Sequence, residues 1–490
     1  MKTKISGFYL DEQQQAIVED KSNYLLVVAG AGSGKTLTIL GKINYLINNE
    51  KIKPNQIICI SFTNAASTSL KNKIQKEFNL DVPVYTFHKL SLKILKYKYE
   101  IADSNTLEYI IDDFFESDLI DNEMIYKYLK IKKKEEYLKK LNSKEIKNLK
   151  KLLSTFIHLF KCNNKKLEDF NIILSKVKRF LNFNYQKEKT ILVLALNIYL
   201  KYQNYLKENN EIDFDDMLIK ATEKVKNDYK EDIKYIIIDE YQDTSFVRFD
   251  LIKSIIDKTK AKLMVVGDDF QSIYRFTGCD INLFLNFKNY FKDSKIMKIE
   301  NTYRNSLELI KIAGSFVMKN KRQIKKNLKS NKHLKNPIEI ICYKNIKKDF
   351  KTLIEKVYKD DEELLVLGRN NDDIKYYIDD NFKINNGFVT YKDIIFKYMT
   401  VHKSKGLESD NVIIINLRDD ILGFPCQIKD EKIIKYISRY DKYPFSEERR
   451  LFYVALTRTK NKVYLFTSKN NKSIFVDELI NDYKITSSVI

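Results

Sequence analysis

Two hydrophobic rhythms divide the chain. Through residues 1–89, short unbroken apolar runs, LLVV (25–28) and IICISF (57–62), alternate with longer stretches of helical spacing such as LTILGKINYLI (37–47). Unbroken apolar strands between amphipathic helices predict a parallel sheet covered on both faces. From about 90 to 211 these runs vanish, and Lys-rich helical segments such as YLKIKKKEEYLKKLNSKEIKNLKKLLSTFIHLF replace them. Strand-like runs return with YIIIDE (235–240) and LMVVGD (263–268), then IEIIC, LLVLG, VIIIN and VYLFT. The order predicts an α/β protein: a first unit over 1–89 and 212–295, a helical insertion over 90–211, and a second α/β unit over 296–490. Five prolines and twelve glycines are too few to mark linkers, and no internal repeat is visible.

Composition narrows the class. At 490 residues the chain exceeds a single compact core. No apolar run approaches the roughly 18–20 residues that span a bilayer, and the start, MKTKISGFYLDEQQQ, lacks a signal-peptide core. Cysteines 59, 162, 279, 342 and 426 lie far apart without a CxxC pair, so spacing indicates neither a zinc site nor a disulfide framework. A reducing, cytoplasmic setting is expected. The net charge of +21 points toward a polyanionic partner; a Lys-, Ile- and Asn-rich composition is the rival explanation, and charge needs a second signal beside it.

Candidate chemistry begins at AGAGSGKT (29–36), between the run YLLVV and a helical stretch. Gly30, Gly32 and Gly34, with Ala29, Ala31 and Ser33, form a loop whose backbone N–H groups can surround phosphate oxygens at a helix N-terminus. Lys35 is placed to reach the β and γ phosphates and Thr36 to ligate Mg²⁺. Ala29 stands where the strict pattern has Gly. The partner signal is YIIIDEYQDTS: Asp239 at a strand end offers one carboxylate to Mg²⁺, and Glu240 a second to the attacking water. Together they predict an ATP hydrolase.

Seven further stretches carry a resemblance: DEQQQAI, SFTNAASTSL (61–70) with YTFHKL (85–90), DFDDML (213–218), GDDFQSIYRFTG (267–278), ENTYRNS (300–306), TVHKSKGLES (400–409) and EERRLFYVALTRTK (447–460). With the phosphate loop and DEYQDT they resemble, in order and over nearly the whole length, the UvrD/Rep type of superfamily 1 DNA helicases. The resemblance implies two RecA-like parallel-sheet motor domains with ATP between them. It implies Gln13 as adenine reader, Gln271 as γ-phosphate sensor, Arg304 and Arg458 as arginine fingers, Tyr303 under the adenine and Glu408 at the ribose. For the DNA strand it implies stacking by Phe62, Tyr274 and Phe276, with Thr63, Asn64, Thr86, His88, Phe214, Arg275, His402 and Lys405 as further contacts or relays. Phe276 stands where the family often has Trp; Thr277, Thr302 and Ser409 also depart from its pattern.

Only residues 370–399 separate LLVLGR from TVHKSKG, where relatives carry a large mobile helical domain, so a compact member is expected. The insertion holds 19 Lys or Arg against 8 Asp or Glu between 121 and 190, and MKNKRQIKKNLKSNKHLKN (318–336) has eight Lys or Arg and no acid. Both segments are candidates for phosphate contact, with a solvated basic face as the alternative. No carboxylate cluster suits two-metal cleavage, so any cutting of DNA falls to another chain. The resemblance implies a 3′-to-5′ translocase on single-stranded DNA and single-strand/duplex junctions. It leaves open a DNA-stimulated ATPase serving as sensor or regulatory subunit beside a nuclease, in phage defence or recombination; an inactive scaffold conflicts with the intact hydrolytic set.

Overall fold

The computed structural model describes residues 3–177 and 184–490. The first sheet has six parallel strands in the order Lys295–Ile299, Tyr24–Ala29, Lys262–Gly267, Tyr235–Ile238, Ile57–Ser61 and Val84–Thr86. Its central strands are buried throughout, as unbroken apolar runs require, with helix Lys35–Asn48 against one face and Phe214–Asn227 with Phe246–Thr259 against the other. The expected boundary at 295/296 shifts, because Lys295–Ile299 pairs in parallel with Leu25–Ala29 as the edge strand of this sheet. The first unit therefore runs to Ile299.

The second sheet has eight strands, in the order Phe382–Asn385, Phe388–Tyr391, Ile394–Thr400, Leu364–Gly368, Asn411–Leu417, Val463–Ser468, Ile338–Tyr343 and Ser487–Val489. All four strands anticipated from the apolar runs are present. The sheet is mixed and not purely parallel: residues 382–400 make a three-stranded antiparallel meander at one edge. That meander occupies most of the interval 370–399.

Between the strands of the first sheet, helices from Thr106–Asp113 to Tyr185–Glu208 form the insertion around a core of its own. Its neck is closed where Glu100–Ile101 pairs with Glu211–Ile212. The expected start at 90 moves later, because helix Phe87–Leu95 buries Phe87, Leu90, Ile94 and Leu95 in the first motor core. Lys178 and Arg179 of the basic insertion lie outside the described residues. Ile433, Ile434 and Ile437, from helix Lys432–Ile437 of the second unit, complete the insertion core, so the two are packed as one. Among the described residues no helix is long and apolar enough to cross a membrane.

Candidate nucleotide cleft and nucleic-acid interface

The cleft starts where strand Tyr24–Ala29 runs out. Ala29 ends the strand fully buried in the sheet core, which is why a methyl is tolerated there. Gly32 and Gly34 take φ of 67° and 77°, a region open to glycine. A Cβ on Gly32 would lie 2.5 Å from that of Arg304, and one on Gly34 2.8 Å from the Gln14 amide. Ser33 has a buried Oγ with no hydrogen-bond partner. A buried hydroxyl without a partner is costly, and a phosphate oxygen cradled by the loop relieves it, so these residues fit a bound nucleotide.

Strand Tyr235–Ile238 delivers the two acids. Glu240 sits at φ 52°, ψ 37°, a strained conformation for a residue with a side chain, found where geometry serves a site. Its carboxylate accepts from Lys35 Nζ at 2.5 Å, while Asp239 Oδ1 accepts from the Glu240 N–H at 2.9 Å. Burial works against the Lys35 charge, but Glu240 and Asp239 outweigh it and hold the ammonium above its ordinary pKa. Burial and the Glu240 charge raise Asp239 to about 6; Glu240 is lowered against its own burial by Lys35 and Lys405. Thr36, the next residue of the helix, is half-buried.

Gln271 is clamped by its Nε2 donating to Asp268 Oδ2 at 2.6 Å. Behind it Lys326, fully buried, bridges Asp268 and Asp269 and lies 3.4 Å from the Phe270 ring centroid. From the opposite side, Arg304 donates to Glu408 at 2.7 Å and to the Thr457 carbonyl at 3.4 Å. Arg458 is buried on the carbonyls of Val454 and Leu407; burial and the neighbouring Arg304 lower it to about 10. Two guanidinium groups crowded beside the phosphate loop form a receptor for anionic charge. Gln13 ties its Oε1 to the Glu300 N–H at 2.8 Å. Tyr303, 55% exposed beside Gly34, hydrogen-bonds Asp11 and leaves its ring face open.

The expected strand contacts divide. Phe214 and Phe276 are 51% and 54% exposed, aromatic faces that folding leaves unused. His88 meets Phe214 at 5.0 Å, and His402 meets Phe276 at 5.5 Å, each edge-on. Phe62 is half-buried on Phe87. Tyr274 donates to the His402 carbonyl at 2.9 Å. Thr63 and Thr86 cap the helices behind them, and Asn64 is exposed beside Thr63.

Two readings need correction, and a third narrows. Arg275 is committed to Glu447 and Asp430 at 2.9 and 2.8 Å and stacks on Tyr440, so it fixes the turn and is not free for phosphate. Of the two readings for Lys405, contact or relay, the second fits: it is buried on Asp243 and on the Gln271 carbonyl, 2.8 Å away, between the two units. Lys326 of the basic stretch lies inside the protein, while Lys321, Arg322, Lys325, Lys329, Lys332 and Lys335 are exposed. In addition, burial and nearby arginines lower His88 and His402 to about 4, so at neutral pH they offer rings and hydrogen bonds, not charge.

Sequence reasoning missed Gln14, Gln242 and Arg248. Gln14 donates to the Ser33 carbonyl at 3.2 Å. Gln242 joins Glu240 to the Asp268 N–H. Arg248 lies 5.3 Å above Phe62. Gln14 and Gln242 stood inside quoted motifs, so a signal existed; nothing around Arg248 marks it.

A phosphate loop and paired acids on one sheet, faced by arginines reaching in from a second, define a two-lobed P-loop NTPase with exposed aromatics beside the cleft. The chain belongs to the UvrD/REP helicase family: that family's N-terminal domain matches residues 10–292, and the UvrD-like helicase C-terminal domain matches 392–470. It is 31% identical over 499 residues to an ATP-dependent DNA helicase Rep of Buchnera aphidicola subsp. Schizaphis graminum, covering 97% of this chain and 67% of that protein. A second Rep, from Buchnera aphidicola subsp. Acyrthosiphon pisum, is 33% identical over 71% of this chain and 51% of its own. DNA helicase IV of Escherichia coli is 26% identical over 96% and 70%. The chain thus spans about half to two thirds of the length of these Rep relatives.

Proposed function

We propose that the chain is an ATP-dependent DNA helicase that moves 3′ to 5′ along single-stranded DNA and opens duplex at a junction. The observation that carries this reading is the convergence of Lys35, Asp239, Glu240 and Gln271 from the first unit with Arg304 and Arg458 from the second on one cleft. Hydrolysis then requires the two units to be closed on the nucleotide.

Lys35 leaves Glu240 for the β and γ phosphates, which frees the Glu240 carboxylate to orient and deprotonate the attacking water. Thr36 and Asp239 would hold Mg²⁺, which would supply neutralisation of charge on the phosphate oxygens. Arg304 and Arg458 stabilise the negative charge that spreads over the transferring group, a contribution typically of about 10³–10⁵ in rate. Gln271 feels the γ-phosphate and passes its position to Lys405 through its carbonyl, and so to the segment that bears His402. Phe276 and Phe214 stack bases, a contact worth about 1–3 kcal/mol per base and indifferent to sequence. Both aromatics belong to the first unit, whereas His402, edge-on to Phe276, belongs to the second, so opening and closing of the cleft alters the contact between His402 and Phe276, which converts turnover into stepping. Gln13 and Tyr303 set the adenine, and Glu408 the ribose once Arg304 has turned to the phosphate.

The test is ATP turnover with and without single-stranded DNA, together with unwinding of duplexes bearing either a 3′ or a 5′ tail. DNA-stimulated turnover with unwinding of the 3′-tailed duplex alone is the expected result. Unwinding from the 5′ tail overturns the polarity, and stimulated turnover with no unwinding overturns the helicase in favour of a DNA-dependent ATPase that acts through another protein.

A further inference from the structure

The cysteine spacing indicates no zinc site, yet folding assembles a mixed set of ligands at the root of the insertion. His158 and Cys162 are one turn apart on helix Lys144–Cys162 and share a face. Asp215, in the first turn of helix Phe214–Asn227, meets both. Cys162 Sγ lies 3.2 Å from Asp215 Oδ1 and 3.5 Å from His158 Nε2, and His158 Nδ1 lies 2.9 Å from Asp215 Oδ2. One sulfur, one imidazole nitrogen and one carboxylate oxygen can be drawn within 4.8 Å of one another.

Those separations match a zinc ion's demands. Bonds of about 2.3 Å to sulfur and about 2.0–2.2 Å to nitrogen and oxygen, at tetrahedral angles, put the ligand atoms roughly 3.3–3.6 Å apart. The Cys162–Asp215 edge of 3.2 Å is near that range, and small rotations of the His158 ring and the Asp215 carboxylate bring one nitrogen and one oxygen to the same ion. Of the neighbouring cations, Lys161 is saturated by Asp213 and Asp216 and Arg248 stacks over Phe62 and Phe87, so the direct partner of Asp215 is the His158 ring that would share the metal with it. Cys162 and Asp215 are buried, while the His158 side chain is 43% exposed. Three ligands thus stand on the protein side and solvent on the fourth.

We propose that His158, Cys162 and Asp215 form a zinc site, with water in the fourth position, that staples the helical insertion to the first motor domain. On binding, the Cys162 thiol and any His158 imidazolium shed their protons to solvent, and the thiolate, the neutral His158 ring and ionised Asp215 coordinate through their lone pairs. The staple sits between the two exposed aromatics. Asp215 follows Phe214 directly, and Cys162 packs against the turn after Phe276, where a Cβ on Gly278 would lie 2.4 Å from its own. Zinc there fixes the distance between Phe214 and Phe276, so the metal sets how rigidly the interface is held.

The probe is Zn²⁺ itself, followed by Co²⁺ as a spectroscopic stand-in. The purified full chain, loaded with Zn²⁺ and passed over a desalting column, is analysed for metal content, and the Co²⁺ form for a thiolate-to-cobalt charge-transfer band and tetrahedral d–d bands. One zinc per chain and a charge-transfer band are expected. Cys162→Ser and Asp215→Asn should each weaken Zn²⁺ affinity by about 10–100-fold or more, and Cys162→Ser should abolish the charge-transfer band. His158→Gln, at a half-exposed position that leaves the core intact, provides the loss in a variant whose circular dichroism matches the parent. Substoichiometric zinc in the parent, or zinc retained unchanged by Cys162→Ser or by folded His158→Gln, overturns the site.

Discussion

Lys405→Met probes the link between the units. Lys405, 7% exposed on its side chain, reaches from the second unit to Asp243, 5% exposed, and to the Gln271 carbonyl. Removing one partner of a buried pair typically costs about 3–5 kcal/mol, because the other charge is left buried. Here the cost has a ceiling, because Asp243 can take up a proton. Burial already holds it at about 6, even with Lys405 beside it lowering the value. A carboxylate with a raised folded pKa gives stability that is full below its unfolded value and lost as pH rises through the folded one. In Lys405→Met the folded value climbs further, so the loss extends to higher pH. The variant should therefore differ from the parent by under about 1 kcal/mol near pH 5 and by about 3–5 kcal/mol near pH 8. Urea unfolding at both values, followed by far-UV circular dichroism, reads the difference. Asp243→Asn added to Lys405→Met should abolish the pH dependence and recover most of the stability, whereas DNA-stimulated ATP turnover stays low because Gln271 still lacks its anchor. A destabilisation that is equal at pH 5 and pH 8, or one that Asp243→Asn leaves untouched, refutes the reasoning.

Phe276→Ala should weaken single-stranded DNA binding about 5–150-fold, the equivalent of one lost stack, with little change in melting temperature since the ring is largely exposed; fluorescence anisotropy at fixed salt measures it. Arg275→Ala should lower stability through its lost pairs with Glu447 and Asp430 and leave the slope of log affinity against log salt unchanged, whereas loss of a phosphate contact would reduce that slope by about 0.7. His402 is held to about 4 by burial and by Arg369. Below its unfolded value, near 6.5, the unfolded chain takes the proton first, so stability is full above that pH and falls toward pH 4. His402→Gln should recover on the order of 2–3 kcal/mol of that loss in melts at pH 4.5 and 7.5. Lys35→Ala should cut ATP turnover at least about 100-fold while DNA affinity stays within about twofold of the parent, because Lys35 faces Glu240 and not the aromatics.

Much of this architecture was legible because the apolar runs have one reading each. YLLVV, YIIID and LMVVG are too uniformly apolar to be anything but strands covered on both faces, and each became a central strand of the first sheet. Edges were harder. Lys295–Ile299 (KIMKI) carries two lysines and is exposed at its start, so it reads as a surface segment, and only its pairing with Leu25–Ala29 assigns it to the first unit. The strands Phe382–Asn385 and Phe388–Tyr391 are four residues each and largely exposed on one face. Their hydrophobic signal is weak, and they were seen only as an interval too short for a domain.

Charge was where sequence reasoning went furthest astray, for one physical reason. A lysine or arginine side chain is long enough to reach water, DNA or a buried carboxylate, and its type does not choose among them. Arg275, Lys326 and Lys405 each stand in a basic or strand-contacting stretch. The choice was made by acids distant in sequence: Glu447 and Asp430 for Arg275, Asp268 and Asp269 for Lys326, Asp243 for Lys405. The same distance dependence hid Asp215 from His158 and Cys162. Of these pairings, Arg275 and Lys405 join the first unit to the second, and Lys326 joins residues 318–336 to the strand end that holds Gln271. The cations that composition offered to DNA are therefore, in part, the ones that hold the cleft's two sides in register, and their substitution should register in stability and coupling before it registers in DNA affinity.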